Sequence, residues 1–168
     1  MTEITMNKNA KLSQHFTLGE LTKTSAKTPD GNIPSRVHIE NLKNLCENWL
    51  EELRFSYNTL YRLQPGEDYD HSKRVEPIII NSGYRSEAVN KAIGGVKGSN
   101  HLTGCAVDIH VKDMEQAIRY ACILLDIADS GERKFDELLI ERSPRGTYWI
   151  HFAVRPKDNR RKVAFLRA

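Results

Sequence analysis

The chain has few cysteines, no long apolar run and little excess of either charge, and each shortage narrows what it can be. Its three cysteines, Cys46, Cys105 and Cys122, are odd in number and lack the CxxC spacing, so no disulfide framework is expected. No apolar stretch approaches the roughly 20 residues that a bilayer-spanning helix needs. Met1 to Lys11 contain neither an apolar core nor a small-residue cleavage site, so no signal peptide is expected and the product is cytoplasmic as synthesised. A formal charge of +3 favours encounters with an anionic polymer but falls far short of the basic patch of a nucleic-acid binder. Neither a repeat nor a linker divides the 168 residues, which are long enough to bury a core unaided. One domain over 1–168 is expected, with a polar, flexible 1–11 and a basic tail at 156–168.

What is present alternates between helical and extended patterns. Leu12 to Phe16 read as a short extended piece, followed by a helical turn with Thr17 as N-cap and Glu20 at the capping-box position. After a loop over Lys23 to Ile33, Pro34 opens a helix to about Phe55, with Val37, Leu42, Leu45, Cys46, Trp49, Leu50 and Leu53 on one face. Gln64 to Arg74, with Pro65-Gly66, is an exposed turn. Pro77 to Ile80 is a β-branched strand, Ser86 to Ile93 a short helix stopped by Gly94-Gly95, and Cys105 to Val111 a second strand. Asp113 caps a helix to about Ala128, with Ile118, Ala121, Cys122, Leu125 and Ile127 or Ala128 inward. Phe135 to Arg142 and Thr147 to Arg155 form a hairpin about Ser143-Pro-Arg-Gly146, and the tail is expected to be helical or partly disordered. The pattern predicts an α+β domain, a small antiparallel or mixed sheet with helices packed on it.

Two segments carry chemistry: Ser99-Asn-His-Leu-Thr-Gly-Cys-Ala-Val-Asp108 and Trp149-Ile-His151. His101, Asp108 and His151 make a three-ligand set suited to a zinc ion that keeps a fourth position open for water. His101 and Asp108 are an odd number of residues apart, so the chain must turn between them for both to reach one ion, and Gly104 supplies that freedom. Cys105, between them, is either a thiolate ligand or a buried strand residue. Cys46 and Cys122 are expected to pack as small hydrophobes. His38, His71 and His110 read as surface or packing residues.

A zinc hydrolase needs a proton acceptor beside its water. With the turn centred near Arg145, Glu141 falls opposite Trp149 and diagonal to His151, roughly 7–8 Å apart at Cβ. Glu137 has the same parity but lies further from the turn, and is second choice. Arg85, in Ser82-Gly-Tyr-Arg-Ser86, is placed to clamp a substrate carboxylate with its planar fork, or to form a plain strand-end salt bridge. Ser99 is set either to meet substrate or to brace the loop.

Together, Ser-Gly-Tyr-Arg-Ser86 with Val89-Asn90 and Ile93-Gly-Gly95, the Ser-x-His-x-x-Gly-x-Ala-x-Asp run and Trp-x-His resemble the zinc D-alanyl-D-alanine carboxypeptidase family of peptidoglycan metallopeptidases. That family includes vancomycin-resistance dipeptidases and phage L-alanyl-D-glutamate endolysins, and shares its metal-site architecture with hedgehog and lysostaphin-like proteins. The resemblance runs from about Leu12 to Val163. It implies Zn2+ as cofactor, held by His101, Asp108 and His151, with Arg85, Ser99 and Tyr84 at the substrate, which would be the peptidoglycan stem peptide. Many members carry the acid/base three residues before the last histidine, which here is Tyr148. A sub-branch instead closes the preceding strand with a glutamate, and Phe135-Asp-Glu-Leu-Leu-Ile-Glu141 fits that pattern.

The leading expectation is therefore a monomeric zinc peptidase of the peptidoglycan stem, a carboxypeptidase or an endolysin-type endopeptidase with Glu141 as base. A wall substrate and a missing export signal are reconciled by release through a partner pore, as for a phage-type lysin, or by turnover of imported wall peptides. The rival is a non-catalytic, metal-loaded module that binds wall peptide or a protein partner, which Tyr148 favours. Nucleic-acid binding through Arg155, Lys157, Arg160, Arg161 and Lys162 rests on charge alone.

Overall fold

Local capping chemistry fixes where the helices begin. The computed structural model describes residues 6–167, so Met1 to Thr5 of the expected flexible N-terminus, and Ala168, lie outside the described residues. Helix α1 (Leu18–Thr22) has the expected capping box: Thr17 accepts from Glu20 N, and the Glu20 carboxylate accepts from Thr17 N at 2.8 Å. The carbonyls of Lys8 and Ala10 accept from Gly19 N and Leu18 N, each at 2.8 Å, and tie the start of the described chain to this turn.

The long helix begins at Arg36 rather than Pro34, because Ser35 and His38 form a reciprocal cap there. It runs as α2 (Arg36–Leu45), a π-helical turn (Cys46–Leu50) and α3 (Glu51–Tyr61), beyond the expected end at Phe55. The wider turn shifts the helical phase, so that Leu42, Leu45, Cys46, Trp49, Leu50, Leu53 and Tyr57 all face the core. Val37, expected on that face, is exposed, since it precedes the buried stripe.

Helix α4 (Glu87–Ala92) is capped by Ser86 and ends before Gly94, which is left-handed at φ 73°. Helix α5 (Met114–Ser130) is capped by Asp113 as expected, but its buried stripe is turned from the expected one. Ala117, Tyr120, Ile123, Leu124, Ile127 and Ala128 are buried, whereas Ile118 and Cys122 are exposed. Tyr120 was the omitted anchor; its ring stands edge-on to Tyr57 of α3 and centres the stripe one residue away.

The sheet is mixed, as expected. Its order is β1-β2-β4-β3-β5, with β1 (Ile80–Ser82), β2 (Ala106–His110), β3 (Glu137–Arg142), β4 (Tyr148–Ala153) and β5 (Lys162–Arg167). All neighbours are antiparallel except β3 and β5. The first strand is shifted from the expected Pro77–Ile80, and Asn81-Ser82 belong to it rather than ending it. The tail contains β5 instead of helix: Arg161 N and Lys162 N donate to Phe135 O and Asp136 O and start a parallel ladder on β3. Val163 and Phe165 remain half exposed on this edge strand, so its alternation carries little burial signal.

Alternation divides the central strands into two faces. Val107, Ile109, Leu138, Ile150 and Phe152 enter the core. The opposite parity carries Asp108, His110, Glu137, Leu139, Glu141, Trp149 and His151, which leaves one polar face for a site.

Between His101 and Asp108 the chain turns as expected, through a 3-10 turn (Asn100–Thr103) and Gly104 at φ 71°. A Cβ on Gly104 would come within 2.5 Å of His38 O, whereas one on Gly94, also left-handed, meets nothing within 4 Å. Gly94→Ala is therefore expected to cost only the left-handed penalty of roughly 1–2 kcal/mol. Gly104→Ala adds overpacking of about 1–3 kcal/mol. Thermal unfolding of the two variants side by side should show Gly104→Ala melting clearly lower; equal melting temperatures would contradict the close approach.

Candidate metal centre

Strand register alone brings two of the three expected ligands together. Asp108 on β2 is the direct cross-strand partner of His151 on β4, and the 3-10 turn carries His101 over them. One ligand atom from each of His101, Asp108 and His151 lies within 4.8 Å of the others, a group that could hold a metal ion. Both imidazoles are buried.

The hydrogen bonds assign the ring nitrogens. His101 Nδ1 is 2.6 Å from Gly83 O, which can only accept, so that nitrogen carries the proton and Nε2 faces Asp108 Oδ1 at 3.2 Å. His151 Nε2 is 3.0 Å from Glu137 Oε2, and Nδ1 is 3.1 Å from the same Asp108 Oδ1. Two ring nitrogens thus converge on one carboxylate oxygen. Such acceptors repel one another unless a proton or a cation lies among them, and the outward contacts to a carbonyl and a carboxylate are those that orient metal-binding histidines. The donor set, two imidazoles and a carboxylate, fits a zinc-type ion.

The titration behaviour follows the same geometry. Burial alone would raise the Asp108 carboxyl, but the charges and hydrogen bonds of His101 and His151 override it and hold it far below the usual range. Burial alone would lower His151, but Asp108 and Glu137 outweigh it and lift the imidazole to about 9.

The other expected residues separate. Arg85 lies beside the group: its Nη2 donates to Asp108 Oδ2 at 2.7 Å and its Nε to Ser82 Oγ at 2.8 Å. One oxygen of Asp108 therefore serves the histidines and the other the arginine. Glu141 pairs with Trp149, as the turn position requires, and burial pushes its carboxyl up. Ser99 caps the turn, its Oγ accepting from His101 N at 3.3 Å, and lines a groove of about 610 Å³ with Asn100, His38 and Arg155. Tyr84 is buried, and its ring stacks on His38 at 4.9 Å. Cys105 shares the parity of Val107 rather than Asp108; burial pushes its thiol up, and Sγ rests on Thr103 O. It packs and does not join the group. His71 pairs with Asp68 in an exposed turn, and His110 faces Trp149.

Sequence reasoning missed the support behind His151. Asp136 is fully buried and accepts from Arg160 Nε and Nη2 at 2.9 and 2.7 Å, from Arg160 N at 3.1 Å and from Asn100 Nδ2 at 2.8 Å, with Arg155 Nε 3.1 Å away. Arg155 and Arg160, read earlier as part of a basic run, are thus largely spent on a carboxylate, and Arg161 pairs with Asp129. The one available signal was a pair of successive carboxylates at the entry to a strand, Phe135-Asp-Glu-Leu.

A family model described as Peptidase M15 matches residues 14–138, most of the chain. The matched span includes Arg85, Ser99, His101 and Asp108 and ends before Glu141 and His151. No match was found among curated proteins. Among the described residues, no helix is long and apolar enough to cross a membrane.

Burial alone would raise Asp136, but hydrogen bonds from Arg160 and Asn100 hold it at about 2. Its folded value lies below the unfolded one, so its contribution is complete above about pH 5 and is lost as pH falls toward 2; at roughly 1.4 kcal/mol per unit this is about 2–3 kcal/mol. Asp136→Asn should destabilise the protein by about 3 kcal/mol at pH 7, because two guanidinium groups lose their partner. In denaturant titrations the gap from wild type should narrow between pH 5 and 2. A gap independent of pH would show that Asp136 does not act through its charge.

Proposed function

Because the chain belongs to the peptidase M15 family, which is D-Ala-D-Ala carboxypeptidase-like, we propose that it is a zinc peptidase hydrolysing a peptide bond of the peptidoglycan stem. The observation that carries this reading is the convergence of His101 Nε2 and His151 Nδ1 on Asp108 Oδ1 within a family whose substrates are peptides. His101, Asp108 and His151 are the ligands in this reading. A zinc ion held by these three residues would supply Lewis acidity toward a carbonyl and would lower the pKa of water toward neutrality.

The protein's own groups do the remaining work. Glu141 takes a proton from the attacking water and returns it to the leaving amine; its raised carboxyl suits a group that must both accept and donate near neutral pH. Arg85 uses two contacts to hold Asp108 and Ser82, which leaves further donors of its five N–H groups for a substrate carboxylate. Ser99 borders the groove beside the turn and is assigned to substrate contact. Tyr84, stacked on His38 of that groove, is likewise assigned to substrate binding. The whole chain is taken as one peptidase unit acting as a monomer, either after release onto the wall, as a phage-type lysin, or on imported wall peptides.

A second reading, a metal-loaded module without turnover, is favoured by one feature. Tyr148 stands where many relatives carry the acid/base, and it is half-buried beneath the Arg142 guanidinium, 5.8 Å from its ring centre.

Digestion of cross-linked peptidoglycan by zinc-loaded protein, read by mass spectrometry beside His151→Ala, distinguishes the two. New fragments absent from the control are expected and identify the bond. Stoichiometric zinc with no fragment would favour the binding module. Glu141→Gln should retain zinc by elemental analysis while turnover falls by about 100-fold or more. A zinc-loaded variant with wild-type turnover would remove Glu141 from the mechanism.

A further inference from the structure

Glu137 lies among three partners that belong to different parts of the chain. Its Oε2 receives His151 Nε2 at 3.0 Å and Asn100 Nδ2 at 3.2 Å, while its Oε1 is 2.9 Å from Arg160 Nη2. The same Nη2 is 2.7 Å from Asp136 Oδ2. One guanidinium therefore spans two successive carboxylates on the entry to β3.

The loop that delivers Arg160 is built to hold it. Asn159 Oδ1 accepts from Arg155 N at 2.8 Å, and its Nδ2 donates to Arg155 O at 2.9 Å. Asp158 and Arg161 sit at φ 57° and 52°, conformations that non-glycine residues keep only where their surroundings over-determine them. Arg160 then meets Asp136 with both its backbone N and its side chain, and β5 begins two residues later at Lys162.

We propose that Arg160, anchored on Asp136, is a positioning residue that fixes Glu137 as the acceptor of His151 Nε2–H, so that Nδ1 is presented unprotonated toward Asp108 and His101. The inference rests on the zinc reading above and adds to it that the C-terminal loop and β5, beyond the matched span, are working parts of the site. It also separates Glu137 from the acid/base role: its carboxylate is committed to a ligand.

Charge and geometry make opposite predictions for Arg160. If it acted only as a nearby positive charge, removing it would tighten binding of a cation. If it positions Glu137, removing it loosens the histidine and weakens binding, since the loss of such outer contacts typically costs about 10–100-fold in metal affinity.

The experiment measures zinc affinity by chelator competition for wild type, Arg160→Ala, Arg160→Lys, Glu137→Gln and Lys157→Ala. Lys157 is an exposed residue of the same loop, so its replacement removes the same charge without touching Glu137. A second readout is the exchange rate of the His151 ring N–H in zinc-loaded protein by NMR, with thermal melts confirming that each variant is folded. Arg160→Ala and Arg160→Lys should weaken zinc by about tenfold or more and speed that exchange, with Lys157→Ala within about twofold of wild type. Unchanged or tighter zinc in folded Arg160→Ala would overturn the positioning role and leave the zinc reading intact. A wild-type protein that takes up no zinc would overturn both.

Discussion

The site depends on one carboxylate shared by two imidazoles. Asp108 Oδ1 faces ring nitrogens of both His101 and His151, and Asp108 Oδ2 faces Arg85. Three other elements thus converge on this one side chain of β2: β4, the 3-10 turn and the segment after β1. A carboxylate removed from water keeps its charge only when both oxygens are satisfied, so each contact stabilises the ionised form on which the others rely. The outer contacts extend the same logic. Gly83 O and Glu137 each face the ring nitrogen that points away from the centre, which leaves His101 Nε2 and His151 Nδ1 turned inward toward Asp108.

The fold keeps this polar cluster in register by burying the other side of the same strands. Val107 and Ile109 flank Asp108, and Ile150 and Phe152 flank His151, all fully buried and pointing away from the site. A slip of one residue in β2 or β4 would send Asp108 or His151 into the core, which makes the apolar face the device that sets the positions of the group. Trp49 and Phe135 close over Phe152 and couple the long helix to that face. The hydrophobic core and the site are two sides of the same strand pairing.

Features governed by near neighbours in sequence were legible. Thr17 with Glu20, Asp113 as a cap, the glycine turn at Gly104 and the hairpin register that sets Glu141 opposite Trp149 all follow from local rules. The candidate metal group was legible because its residue types are rare in such a pattern and its parity was right. Features that depend on distant partners were not. The π turn at Cys46–Leu50 exists to keep one helix against a core whose other walls come from elsewhere, and the phase of α5 follows Tyr120 against Tyr57. Strand β5 is ordered by the carbonyls of Phe135 and Asp136, and nothing within Lys162–Arg167 announces them. The basic run was misread for the same reason: the carboxylate that takes up Arg155 and Arg160 is buried in β3's entry, remote in sequence.

Glu137 and Glu141 show how one strand can supply two different carboxylates. They share a face of β3, one on either side of Leu139, which is the cross-strand partner of His151. The hydrogen bond from His151 holds Glu137 below the usual carboxylate range, with Arg160 adding to the effect, whereas burial raises Glu141. A carboxylate already accepting from a ligand and held low is a poor proton carrier near neutral pH, and one pushed up by burial is a better one. The environments therefore divide the labour in the way the proposed chemistry requires, with Glu137 committed to orientation and Glu141 left for proton transfer. The division does not come from the side chains, which are identical. It comes from the asymmetry of their surroundings, since the C-terminal loop supplies an arginine at one end of β3, whereas among the described residues Glu141 makes no ion pair with an arginine.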